Sequence, residues 1–460
     1  MELRADQLHR TVKLEMDEGR ARTLEEAEAL AAGYVLQLQI GAGAEQSPAL
    51  QAAILTVVNT ASRAFLGGVR VQIAADPMLN AGWAKNLHLS EAIESFGGII
   101  VKEPSEEHLT LILGDPRTPV LGAITLYPTW EGWSGGVVEH PGERLQEDAD
   151  CSLAAVLASA LAVSEAFQHI RGNPEAGRRM IGLSLWRPEL DWTDPESFGP
   201  EIHYLPSQAW ILGLGHLGQA YCWCLGCLPY ADPRQLLLYL VDFDIVEEAN
   251  ESTGLLVDRE SVGQTKTRAV ARRLEELGVQ TRISERAFDS HTQRTADEPT
   301  LALAGFDDPV PRRDLEDANF ERVIDAGLGA MAAHYNEMQV HAFPSGLRAH
   351  SAFRSQVQPT MRPDQDAYKD LVERRVEAGE THGEAECGVL EIAGRTVGAA
   401  FVGTVAGALV VAETLRILCR GPRYQVIDLS LRSPKYLEAI ANEAPGPFVN
   451  PGHALAARPG

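Results

Sequence analysis

AWILGLGHLGQAYCWCLGCL, from Ala209 to Leu228, opens on an apolar strand and passes through Gly213-Leu214-Gly215-His216-Leu217-Gly218 into a helix. In that setting a GxGxxG has a physical reason for each glycine. The first makes a tight turn, the second lets backbone approach a phosphate, the third packs helix on strand, and the helix N-terminus favours an anion. The next apolar run, LLLYLVDFD from Leu236, ends at Asp242, where an acid can hydrogen-bond ribose hydroxyls. Strand, glycine turn, helix and strand in this order predict a doubly wound, Rossmann-like α/β domain.

The continuation, VDFDIVEEANESTGLLVDRESVGQTKTRAVARRLEELG from Val241 to Gly278, narrows the reading. It resembles the ThiF/MoeB family, the ubiquitin-activating-enzyme-like adenylyltransferases, whose pattern is VDFDxVxxxN followed by VGxxK opening a helix. Asp242, Asp244, Val246, Asn250, Val262, Gly263 and Lys266 fit that pattern without a gap. Weaker likeness continues in ERVIDAGLG and in AAFVGTVAGALVVAETLRIL. The resemblance implies ATP with Mg2+ as cofactors, and adenylation of the C-terminal carboxylate of a ubiquitin-like or sulfur-carrier-like protein. It assigns Gly213, Gly215 and Gly218 to the phosphates and Asp242 to the ribose. Asp244, Asn250, Lys266 and Asp325 complete the nucleotide-binding set, and Lys266 is also a catalytic cation that neutralises phosphate during bond formation.

Two departures from the family stand out. Thr253 occupies the place of a phosphate-binding arginine, and Leu328 falls three residues after Asp325, where the family has a magnesium aspartate. Leucine cannot ligate magnesium, so either Asp244, Asp325 or another acid takes that role or the protein binds nucleotide without the usual chemistry. In two-half relatives an arginine comes from the partner half, and the N-terminal segment offers Arg4, Arg10, Arg20 and Arg22. The departures keep open a protein of the same fold that binds nucleotide but has lost catalysis. An NAD-dependent oxidoreductase is allowed by the glycine loop and Asp242, but gives no role to Asn250 and Lys266.

Outward from this region, 460 residues at 45% hydrophobic content suffice for two cores. Periodicity predicts a helical lead-in over 1–66, a degenerate α/β domain over 67–172, a linker over 173–206, the nucleotide domain over 207–435 and a tail over 436–460. Polar residues 358–386 read as a loop or crossover. ALAVSEAFQHIRG and ALVVAETLRILCRG place Glu165 and Glu413 at the same point of similar helices. That likeness points to an internal duplication whose first copy has no GxGxxG in AFLGGVRVQIA, so either an internal pseudo-dimer or a homodimer is expected.

Cys222, Cys224 and Cys227 read as small core residues on the helix after the glycine loop. The two CxxC pairs that hold structural zinc in many relatives are lacking, so no zinc is expected. Cys387, at the end of the polar crossover, is the candidate acyl acceptor, although Glu384 and Glu386 beside it work against an anionic sulfur. A net charge of −24 without a polybasic run argues against nucleic acid. A charged N-terminus, and the reading that no long apolar stretch is free of charges or helix breakers, predict a cytoplasmic protein with no membrane partner.

Overall fold

In the computed structural model, which describes residues 6–116, 119–147, 151–329, 331–354, 364–442 and 449–457, the segment expected to be wholly helical contains a strand. Val35–Ile40 alternates leucine with glutamine, a period of two that belongs to strands, and forms β1. Gln37 and Gln39 point into the protein with no exposure, bonded to Thr110 and the Val120 carbonyl. Only α1 (Arg10–Asp17) and α2 (Leu24–Ala32) precede β1, so the first sheet begins well before residue 67.

That first sheet is completed by β2 (Gly68–Ile73), β3 (Gly98–Ile100), β4 (Thr110–Leu113), β5 (Thr125–Glu131), β6 (Ser134–Val138) and β7 (Ile181–Ser184). Its helices are α3 (Pro48–Ser62), α4 (Leu89–Ser95) and α5 (Ser152–Ile170). The expected linker therefore supplies an edge strand, β7, and also β8 (Tyr204–Leu205).

The second half is built from β9 (Gln208–Leu212), α6 (His216–Cys227), β10 (Leu237–Val241), α7 (Lys266–Glu276), β11 (Gln280–Ser284), β12 (Leu301–Ala304), α8 (Pro309–Arg313), β13 (Arg322–Leu328) and β14 (Glu337–Phe343). It continues through α9 (Ala349–Ala352), α10 (Asp366–Glu377), α11 (His382–Gly394), α12 (Ala400–Leu418), β15 (Tyr424–Ser430) and β16 (Glu438–Ala441). The tail thus contributes β16 to the sheet, and β17 (Ala454–Leu455) pairs with β8.

Strand order repeats between the halves. The first sheet runs β3-β2-β1-β4-β5-β6-β7, and the second runs β11-β10-β9-β12-β13-β14-β15-β16. In each, the first five strands are parallel and the remainder antiparallel. α5 and α12 are both 19 residues long, buried and packed against each other, and one apolar core runs through both halves.

Across the α5–α12 contact the polar groups are exchanged reciprocally. Gln168 on α5 donates to the Leu431 carbonyl after β15, and Arg416 on α12 donates to the Leu185 carbonyl after β7. Glu165 and Glu413 are buried at matching points, paired with Arg179 at 2.6 Å and Arg322 at 2.8 Å. Both helices are long and apolar enough to cross a membrane by length and composition, which the sequence reading had not anticipated. In the fold, 89% of each apolar window is buried, as in core helices.

The crossover expected as a loop over 358–386 is helical from Asp366, because α10 and α11 have an apolar face to bury; residues 358–363 lie outside the described residues. Leu8, Val12 and Met16 of the lead-in pack with Tyr368, Leu371, Val389 and Ile392 to form a separate helical cap.

Candidate functional site

β9 lies between β10 and β12, so the chain leaves its C-terminal end in both directions. Ligands bind at such a switch point in open α/β sheets. Gly213 has φ +82°, a left-handed turn that glycine makes without strain. A Cβ on Gly218 would stand 1.8 Å from the Gly213 carbonyl oxygen, so only glycine allows α6 to start that close to β9. Nothing lies within 4 Å of a Cβ built on Gly215, which leaves its backbone accessible at the N-cap of α6.

Asp242 follows β10, and its carboxylate accepts hydrogen bonds from the N–H groups of Leu214 (2.6 Å) and Asp244 (2.8 Å). Burial raises its pKa above the usual carboxylate range, against the opposing charge of Lys266 and the two N–H groups. Lys266 is the first residue of α7, with its Nζ 2.8 Å from Asp244 Oδ2. The lysine is largely covered and Asp244 half-exposed. Asn250 accepts from the Glu247 N–H at 2.9 Å and shapes the 3-10 turn Glu248–Ser252. The glycine loop, Asp242, Asp244 and Lys266 are therefore gathered together, with Asn250 holding the adjoining turn.

Asp325 does not join this group, which corrects the sequence reading. It lies within β13, fully buried, with Arg312 Nε 3.1 and 3.2 Å from its two oxygens and Nη2 2.5 Å from one. Burial pushes its carboxyl up to about 6 while Arg312 opposes the shift. Gly327 gives Arg312 its room, since a Cβ there would meet the guanidinium at 2.8 Å.

Leu328 is accordingly not the place to seek a metal ligand. The strand beside β9 is β12, and its C-terminal turn, Gly305-Phe306-Asp307-Asp308, borders Gly213. Three residues past the end of β12 stands Asp307, exposed, while Asp308 caps α8 through the Val310 N–H at 2.8 Å. ERVIDAGLG reads as a strand ending on an acid, and only the sheet order shows that LALAG is the relevant neighbour. The sequence signal for Asp307 was the acid pair directly after that shorter apolar run.

Of the lead-in arginines, Arg4 lies outside the described residues, Arg20 pairs with Glu15 at 3.3 Å, and Arg22 is exposed. Arg10 differs from them. It is 9% exposed, and its Nη1 has no hydrogen-bond partner among the described residues. α1 packs on the Glu248–Ser252 turn, where the Ala249 N–H donates to the Asp6 carbonyl at 2.8 Å, and Arg10 is close enough to Glu247 to feel its charge.

His216, at the start of α6, is wedged under the segment leading into α12. A Cβ on Gly403 would come within 2.2 Å of its Nε2, and one on Gly398 within 3.2 Å of its Nδ1 and 3.4 Å of Thr253 Cγ2. Burial lowers its pKa to about 4.

Cys222, Cys224 and Cys227 are buried, and burial pushes all three thiols up. Cys224-Leu225-Gly226-Cys227 is a CxxC spacing that the sequence reading overlooked, but both thiols sit within α6 in the core. Among the described residues no group of three or more histidines, cysteines and acids is disposed to hold a metal. Cys387 is exposed on α11. Of the flanking acids, Glu384 is engaged by Thr381 in the helix cap, and Glu386 stands 3.3 Å from His382. A cavity of about 1050 Å³ opens at the seam of the halves, between Arg63, Trp83, Phe96, Leu225 and Arg273; the glycine loop takes no part in it.

Residues 35–185 match a family model described as the BilD N-terminal domain, and residues 205–421 one described as the BilD C-terminal domain. The sequence is 38% identical over 442 residues to the bacterial E1-like protein BilD of Collimonas sp. (strain OK412), covering 95% of this chain and 94% of that relative. Among solved structures it is similar to E. coli MccB, with 14% identity and a TM-score of 0.35 over 71% of this chain and 95% of MccB. It is also similar to E. coli tRNA N6-threonylcarbamoyladenosine dehydratase, TcdA, in complex with AMP, with 13% identity and a TM-score of 0.29 over 46% of this chain and 86% of TcdA.

Proposed function

This chain belongs to the BilD family of bacterial E1-like proteins, and from that premise we propose that it uses ATP to adenylate the C-terminal carboxylate of a ubiquitin-like or sulfur-carrier-like protein. The observation that carries the reading is the Lys266–Asp244 pair at 2.8 Å beside an accessible glycine loop whose Leu214 N–H is held by Asp242. Asp242 orients the ribose, and the N–H groups of the loop and of the first turn of α6 receive phosphate oxygens. Lys266 exchanges Asp244 for the α-phosphate as negative charge builds there. Arg10 is the lead-in arginine whose buried Nη1 is short of an acceptor, which fits the cation expected from the other half.

In the reaction a carboxylate oxygen of the carrier protein attacks the α-phosphorus, the bond to the β-phosphate oxygen breaks, and pyrophosphate leaves. The Cys387 thiolate then attacks the acyl carbon and AMP leaves, giving a thioester. In this reading Asp307, an exposed oxygen donor on the turn that borders the loop, would hold Mg2+. When bound, that ion would offset charge on the polyphosphate. The first half stands in for a second subunit through the α5–α12 contact. A chain of net charge −24 presents a poor surface to nucleic acid.

The test is ATP–pyrophosphate exchange with a candidate carrier protein. Exchange that requires the carrier and disappears in Lys266→Ala supports the proposal. ATP binding without exchange would favour a protein that keeps the site and has lost the reaction, the reading that Thr253 keeps alive. Tight NAD binding without competition from ATP would overturn both.

A further inference from the structure

We propose that Arg395, on the segment joining α11 to α12, supplies the cation that Thr253 lacks and closes with Arg10 on the polyphosphate of bound ATP. This rests on the nucleotide reading above. Arg395 caps the C-terminal end of α11, and the chain then descends directly onto the glycine loop. A Cβ on Gly398 would meet both His216, at the start of α6, and the methyl of Thr253, and one on Gly403 would run into the same imidazole. This contact fixes where the segment enters the site. Position 253 itself is covered by the segment that carries Arg395.

The second observation lies in Arg10. The residue is nine-tenths buried, Nη1 has no hydrogen-bond partner among the described residues, and after burial the largest influence on it is the positive charge of Arg395. The fold therefore keeps two guanidinium groups within range of each other beside the Glu247–Thr253 turn. A polyanion between them turns that repulsion into attraction. Arg395 is free to turn toward it, since its ion pair is a 3.8 Å contact with exposed Glu391. A triphosphate matches the arrangement: Lys266 at the α-phosphate and two planar donors for the groups beyond it.

Calorimetric titration of the full chain with MgATP and with AMP tests the assignment, using Arg395→Ala, Arg395→Lys and Arg374→Ala. Arg374 pairs with Glu25 across the helical cap and controls for loosening of that cap. Arg395→Ala is expected to raise Kd for ATP by about tenfold or more and to change Kd for AMP by less than about twofold, with part of the loss recovered in Arg395→Lys. Arg374→Ala should bind both as the wild type does. If Arg395→Ala binds ATP as tightly as the wild type, or weakens ATP and AMP equally, the assignment is wrong. If the wild type binds no ATP, the nucleotide reading falls and takes the assignment with it.

Discussion

The two halves carry the same strand order and differ in what stands at the C-terminal ends of their central strands. After β9 the chain runs Gly213-Leu214-Gly215-His216-Leu217-Gly218; at the same point after β1 it runs Gly41-Ala42-Gly43-Ala44-Glu45-Gln46. The first half's counterpart of the glycine loop is here, not in AFLGGVRVQIA. Gly41 still packs against the turn after β4, with its missing Cβ 2.3 Å from the Asp115 nitrogen, as Gly213 packs against Gly305. The third glycine has become Gln46, α3 starts only at Pro48, and the residue after β2 is Ala74 where Asp242 follows β10. α4 opens on Leu89 where α7 opens on Lys266. Sheet order and core helices thus survive without the site, which depends on a handful of polar residues and glycines at one edge.

The sharpest way to break this comparison is through the matched glutamates. Glu413→Ala leaves Arg322 and Arg416 buried without their carboxylate and is expected to cost about 3–5 kcal/mol. Glu165→Ala strands the partly exposed Arg179 and the Gly177 N–H, leaves no fully buried cation unpaired, and should cost less. Urea unfolding of both variants checks the order, and a larger loss for Glu165→Ala would contradict the packing described. Next, Lys266→Ala should reduce pyrophosphate exchange by about 100-fold with the fold intact. His88→Ala, at the N-cap of the corresponding helix in the first half, should leave exchange unchanged.

Gly215→Ala separates folding from binding. Its Cβ meets no protein atom, so a thermal melt should shift by the equivalent of less than about 1 kcal/mol. ATP affinity should nonetheless fall about tenfold, because the added methyl group occupies the approach to the phosphates. Equal affinity would place the nucleotide elsewhere.

The smallest effect concerns pH. His216 and His341, both in the second half, have pKa values lowered from 6.5 to about 4, chiefly by burial. The unfolded chain takes up these protons first, so their contribution to stability is complete above about pH 6.5 and is lost as pH falls toward 4. His341→Gln should flatten the decline in denaturation midpoint between pH 7 and pH 5; an unchanged slope would rule it out as a contributor.

The second half was legible because its site is written in consecutive residues: glycine loop, strand, acid, then lysine at a helix start. The motif pointed to an adenylate-forming family, and the family match is to E1-like proteins. β1 was hidden because Gln37 and Gln39 are buried polar residues satisfied by partners distant in sequence, Ser105, Thr110 and Val120. Asp307 was missed for a related reason. Which strand lies beside β9 is decided by pairing across the sheet, and Asp325 ends a more conspicuous apolar run while its charge is matched by Arg312. α10 and α11 looked like a loop because most of their residues face water; the apolar face they do have is covered by α1 and α2, hundreds of positions away.

The central claim is one nucleotide site in a doubled fold, and calorimetric titration of the full chain with MgATP tests it most directly. The expected result is one ATP bound per chain, with binding severely weakened by Lys266→Ala and unaffected by His88→Ala. Two ATP per chain, or a single site indifferent to Lys266→Ala, would contradict it.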